Sequence, residues 1–166
     1  MEPVKSAKPA LFTLGSPSFE NGRRIPIKHS KDGGNRSPEL EWSHLPPGTV
    51  TLALLCEDPD APQDEPWVHW VIYNIPERLP GLPEGVSSSE LPEEVAGAVQ
   101  GVNSFGKVGY DGPRPPAGHG THHYRFILHA VDSVLELGPR ASKRDLLSAL
   151  KGHVLASTQR MGTYSR

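Results

Sequence analysis

Apolar positions in this chain come in short runs separated by Gly and Pro, and the period of each run predicts an element. Thr51–Cys56 (TLALLC) is continuously apolar over a strand's length, as expected of a strand buried on both faces. Trp67–Ile75 (WVHWVIYNI) is rich in β-branched and aromatic residues. Period two places Trp67, His69, Val71, Tyr73 and Ile75 on one face, with His69 among apolar neighbours. Tyr124–Val131 (YRFILHAV) sets Tyr124, Phe126, Leu128 and Ala130 against Arg125, Ile127, His129 and Val131. A helical period follows from Ser142. Ser142 and Asp145 have capping-box spacing, Leu146, Leu147 and Leu150 share a face with Val154 beyond them, and Gly152 ends the helix. The segment 153–166 alternates enough to predict a final strand, and 87–99 predicts no more than a helical turn or two around Pro92 and Gly97. Between residue 11 and Gly48 the breakers leave room only for short strands. No βαβ alternation occurs. The expected fold is mainly β, an antiparallel arrangement with one short helix near the C-terminal end and minor helical turns. Residues 1–10 read as a polar tail and 11–166 as a single domain.

Composition sharpens this. Eighteen Pro in 166 residues is about twice the usual share, so turns and loops carry much of the architecture. Seventeen Lys and Arg against 19 Asp and Glu give a net charge of −2 with no basic stripe, which argues against a nucleic-acid partner. Cys56 is the only cysteine, so no internal disulfide can form, and the chain suits a reducing cytoplasm. The first residues lack the apolar run of a signal peptide, and no stretch is apolar for long enough to span a membrane as a helix.

The chemistry concentrates in residues 101–124 (GVNSFGKVGYDGPRPPAGHGTHHY), which hold six Gly, three Pro and three His and follow no period. A loop this long inside a small domain is functional or disordered. Pro115-Pro116 and the aromatic Phe105 and Tyr110 favour a stiff, ordered loop, and exposed backbone N–H groups in such loops bind anions. Gly101–Lys107 fits the first part of a P-loop. Val108 stands where Ser or Thr should bind magnesium, and Gly112-Pro113 forbids the following helix, so nucleotide hydrolysis is rejected. Ser104 lacks a nucleophile-elbow context, and Cys56 is expected to be buried and inert.

Taken together, SPELEWSHLPPGTVTLALLCEDPDAP (37–62), WVHWVIYNIP (67–76), NSFGKVGYDGPRPPAGHGTHHYRFILHAVD (103–132) and GHVL…MGTY (152–164) resemble the phosphatidylethanolamine-binding protein family. Within it they are most similar to the bacterial and archaeal branch often labelled Raf kinase inhibitor-like. The resemblance implies a β-sandwich with a small surface pocket for phosphate or similar anions. It maps ligand-binding positions onto Asp58, His69, Arg114, Pro115, Pro116, His122 and Tyr124, with Arg114 acting through its backbone N–H. Asp60, Pro62 and Gly118 take supporting positions, and Ala61–Pro62 is expected to be a cis peptide. No cofactor and no metal are implied. The expected partner is phosphate or a phosphorylated small molecule, in a non-catalytic, kinase-inhibitor-like binding protein that the resemblance allows to be a homodimer. No kinase partner follows from the residues.

Outside that resemblance, Asp58 and Asp60 beside Pro read equally as Asx-turn formers, Tyr124 as core and His69 as a core-edge histidine. A carboxylate beside an anion is also repulsive. Asp58 is therefore expected to accept a hydrogen bond from His69 or His122 and hold it charged toward the anion. The alternative function is a metal-dependent hydrolase in which His119, His122 and His123 join His69 and Asp58 around zinc. Three positions depart from the family pattern. Asp111 and Arg114 are expected to place opposite charges near the pocket mouth, and His123 replaces an Arg, which puts a family salt bridge in doubt.

Overall fold

A computed structural model describes residues 10–166, so the tail expected over 1–10 lies almost wholly outside the described residues. Two antiparallel sheets form the sandwich. The smaller has the order β1 (Thr13–Gly15), β2 (Leu40–Ser43), β5 (Gly81–Leu82). The larger has the order β6 (Val99–Gln100), β4 (Trp67–Pro76), β3 (Thr51–Asp58), β7 (His122–Val131), β8 (Val154–Tyr164). Among the described residues one α-helix, α1 (Lys143–Leu150), and 3-10 turns at Ile27–His29 and Glu93–Val95 complete it.

β3 is central in the larger sheet and buried at every residue because both its faces are covered. Leu52, Leu54 and Cys56 pack with Trp70, Ile72, Phe126 and Leu128 against Leu14, Leu40, Trp42 and Leu82 of the smaller sheet. Ala53 and Leu55 pack with Val71, Tyr73 and Val131 against Leu146 and Leu150 of α1. The larger sheet is thus the middle layer. The Ser142 side chain accepts from the Asp145 N–H and the Asp145 carboxylate accepts from the Ser142 N–H, the reciprocal cap that the spacing predicts. Leu147 is exposed, so the buried stripe of α1 is narrower than its leucines suggest. Lys143, in the first turn, reaches Glu57 at the end of β3, which Arg125 also holds at 2.7 Å.

The strict alternation expected along β4 does not hold. Against β3, Cys56 pairs with Trp70 but Glu57 with Val68, and Leu54 pairs with Ile72 but Leu52 with Ile75. One extra β4 residue is accommodated at each place. At the second, Asn74 takes φ +54° and ties down Leu135 through both its amide and its carbonyl. At the first, the extra residue is His69. A bulge turns adjacent side chains toward one side. Val71 and Tyr73 face α1, whereas His69 packs on Tyr124, in the same cluster as Trp70.

Candidate functional site

Asp58 ends β3, His69 sits in the β4 bulge, and His122 and Tyr124 open β7. Pairing of Asp58 with Trp67 and of Glu57 with Arg125 brings all of them to one end of the larger sheet. The 101–121 segment closes over that end. Gly112 passes so close to His29 that a Cβ there would lie 2.0 Å from its carbonyl oxygen, and this approach positions Asp111 beside His69. The result is a cavity of about 170 Å³ lined by Asp58, His69, Arg114, Pro115, Pro116, His122 and Tyr124, together with Pro62, Ala61, Gln63, Trp67 and Phe105.

All seven positions assigned as ligand contacts are brought together here, and of the three supporting positions only Pro62 lines the wall. Asp60 faces away and holds His123 instead, through its backbone N–H at 2.8 Å and ring Nδ1 at 2.6 Å. His123 thus supplies an ion-pair partner where the family's Arg is missing. Gly118, at φ +78°, donates its N–H to the Arg166 carbonyl. The peptide bonds of the described residues are all trans, Ala61–Pro62 included, which corrects the expected cis bond. The DPDAP turn closes without it: Asp60 N–H donates to Asp58 Oδ1 at 2.8 Å, and Gln63 N–H to the Ala61 carbonyl at 2.7 Å.

The cavity's polar atoms divide into occupied and open ones. Asp58 is 3% exposed, with Oδ1 taken by Asp60 and Oδ2 by His122 Nδ1 at 2.6 Å. It therefore acts as an Asx-turn former and a histidine orienter at once. His122 passes the chain outward, its Nε2 lying 2.6 Å from His119 Nδ1. His69 makes no hydrogen bond to Asp58. Its Nδ1 lies 2.6 Å from the Asp111 carbonyl, which can only accept, so Nδ1 carries the proton. Burial lowers the His69 pKa, and the neutral ring is favoured. Buried polar side-chain atoms without any partner, among the described residues, are confined to His29 Nε2 and Arg125 Nε. His69 Nε2 has no protein partner and is not sealed in, whereas the Tyr124 hydroxyl lies against the Asp58 carboxylate and shares its hydrogen with it. Burial, and then the Asp58 charge, push the Tyr124 phenol far above its ordinary pKa and keep it a donor.

One charge expectation changes. Asp111 adds no charge to the cavity wall: its carboxylate is buried, bonded by Asn35 Nδ2 at 3.0 Å and Asn103 Nδ2 at 3.2 Å, with Lys31 at 3.6 Å. The loop amides are mostly engaged as well. Those of Asp111, Gly112, Gly118 and His119 all have internal acceptors, whereas Arg114 N–H has none among the described residues. Sequence reasoning missed Trp67 and Phe105 as wall residues and Lys31 as the nearby cation, 3.3 Å above the Phe105 ring. Trp67 was findable, since it lies two residues before His69 on one strand. Among the described residues no three His, Cys, Asp or Glu side chains are grouped so as to hold a metal ion.

The chain thus forms a two-sheet sandwich with a small, partly polar cavity at one end of its larger sheet. The phosphatidylethanolamine-binding protein model matches residues 15–165, and the chain belongs to that family. A UPF0098 protein of Methanothermobacter thermautotrophicus is 47% identical over 156 residues, covering 93% of this chain and 99% of its own length. A UPF0098 protein of Aquifex aeolicus is 42% identical, covering 97% and 92%. Among solved structures, Escherichia coli YbcL superposes with a TM-score of 0.87 at 32% identity, covering 95% of this chain and 99% of its own. A Chlamydia trachomatis phosphatidylethanolamine-binding protein homologue gives 0.84 at 38%, covering 93% and 97%. The bacterial and archaeal branch fits.

Proposed function

We propose that the cavity binds a small phosphate-type anion, free or as the end of a phosphorylated molecule, and holds it without chemical change. The observation that carries this is the division of its polar atoms. Asp58 and His122 are tied to each other and fixed, while the Arg114 amide has no acceptor among the described residues and the Tyr124 hydroxyl, beside Asp58, can turn its hydrogen to a ligand. Repulsion from Asp58 is moderated because each of its oxygens already accepts a hydrogen bond. Lys31, above Phe105, adds positive potential at the rim. The apolar part of the wall, Pro62, Trp67, Phe105 and Pro115, leaves room for the group that carries the phosphate. Any regulatory output, on a kinase or another partner in the cytoplasm, would follow from occupancy of this cavity.

Calorimetric titration with inorganic phosphate and with phosphoethanolamine tests the reading. Saturable one-to-one heat is expected, unchanged by EDTA. Tyr124→Phe removes one hydrogen bond to a charged acceptor, so affinity should drop about 10- to 100-fold. Full affinity in that variant, or binding that requires added zinc, would overturn the proposal.

A further inference from the structure

Resting on that anion-binding reading, we infer that the cavity selects oxyanions that still carry a proton. The reason is that its polar atoms include an open acceptor, His69 Nε2, beside the unpaired Arg114 N–H and a Tyr124 hydroxyl shared with Asp58. The Asp111 carbonyl fixes the His69 proton on Nδ1, and a neutral imidazole then presents a lone pair at Nε2. An aprotic anion would set its own lone pairs against that one, in a space where Asp58 already contributes negative charge. An anion bearing one P–O–H group donates to Nε2 through that hydroxyl and accepts from Tyr124 and Arg114 through its other oxygens. Nothing is transferred in this step; the ligand keeps its proton and the ring its tautomer.

The groups around His69 act in opposite directions. From β3, Asp58 raises the tendency of the ring to protonate, but it is held by His122, whose second nitrogen goes to His119. From the 101–121 loop, Asp111 favours a charged ring through its carbonyl and its carboxylate, the latter hydrogen-bonded by Asn35 and Asn103 and paired with Lys31. Lys31 itself disfavours a second proton on the ring. From β7, Tyr124 packs edge-on at 5.1 Å and is protonated. Phe105 covers another edge at 5.4 Å, and the Asp60–His123 pair lies outside the cavity wall. Burial is the largest influence and keeps the ring neutral.

Phosphate and sulfate at pH 8 make the test clean, because both are tetrahedral dianions and only phosphate retains a proton. Titration calorimetry should give phosphate an advantage of at least about tenfold, one good hydrogen bond to a charged group. A phosphomonoester, whose second pKa is about 6, should weaken by about tenfold per pH unit above that value, while inorganic phosphate stays nearly flat from pH 7 to 8. His69→Gln offers an amide donor, so the preference for phosphate over sulfate should collapse. Since that variant can also disturb the β4 bulge, ring ¹⁵N shifts of the unsubstituted protein give an independent readout. They should report the Nδ1–H neutral tautomer of His69 at pH 8, with and without phosphate. Equal affinity for the two ions, or a His69 imidazolium in the phosphate complex, overturns the inference while leaving anion binding intact. Failure of both ions to bind overturns the anion reading and this inference with it.

Discussion

Asp58 accepts one hydrogen bond along the chain and one across the cavity, and substitution separates the two. Asp58→Ala leaves the buried His122 Nδ1–H without an acceptor, at roughly 1–3 kcal/mol, and the Asp60 N–H, which water can reach, without one at a smaller cost. Asp58→Asn retains one carbonyl oxygen, enough for one of the two donors. A loss of about 1–3 kcal/mol or slightly more is expected for Ala and about half of that for Asn, read from urea midpoints. Equal losses would mean that the two bonds do not contribute separately. The pairing of Asp58 with a histidine was legible in the sequence, because a carboxylate that the family resemblance sets beside an anion needs another role. Which histidine it takes was not. His122 and His69 lie on different strands, and only the bulge at 68–70 decides that His69 meets the Asp111 carbonyl instead.

At the scale of elements, periodicity predicted most of the larger sheet. β3, β7, β8 and the capped helix stand where their patterns put them, since burial on one or both faces writes itself directly into residue choice. The β4 bulges left no such mark. An extra residue shifts the phase of every side chain beyond it without changing composition, so the face assigned to Val71 and Tyr73 was inverted. The smaller sheet was legible only as short strands among breakers, because its pieces of two to four residues are too brief to show a period. α1 depends on its cap. Ser142→Ala removes the acceptor for Asp145 N–H and should cost about 1 kcal/mol. It should also loosen Lys143 from Glu57. Denaturant unfolding measures the first effect, and faster amide exchange confined to 143–150 identifies the second as local. Uniformly faster exchange would show instead that α1 unfolds only with the sheet.

For the whole molecule, a net charge of −2 is too small for general repulsion to set the pH dependence of stability, so individual buried groups decide it. On the acid side, burial lowers the pKa of His29, His69 and His129 below their ordinary 6.5. The unfolded chain then binds protons first. The stability these rings contribute is complete above pH 6.5 and is lost as pH falls below it, at up to about 1.4 kcal/mol per pH unit for each ring that titrates. His29 is fully buried and its Nε2 makes no hydrogen bond; the Glu84 carboxylate, 3.8 Å away, only partly offsets the effect of burial. Further down, Asp60 and Asp132, held below their ordinary 3.8 in pairs with His123 and His153, lose their contribution in the same direction. On the alkaline side the sign reverses. Burial raises the Cys56 thiol above its ordinary 9.0 and the Tyr73, Tyr110 and Tyr124 phenols above their ordinary 10.0. The unfolded chain loses those protons first, so their contribution holds below pH 9 and is lost above it. Urea midpoints measured from pH 4 to 10.5 should therefore form a plateau between about 6.5 and 9 that falls on both sides. A maximum near pH 5 would show that the buried histidines accept protons in the fold without penalty. Replacing His29 with Gln should extend the plateau toward acid if its burial is the cause, whereas His153→Gln, on the surface, should leave the acid edge near pH 6.5 in place.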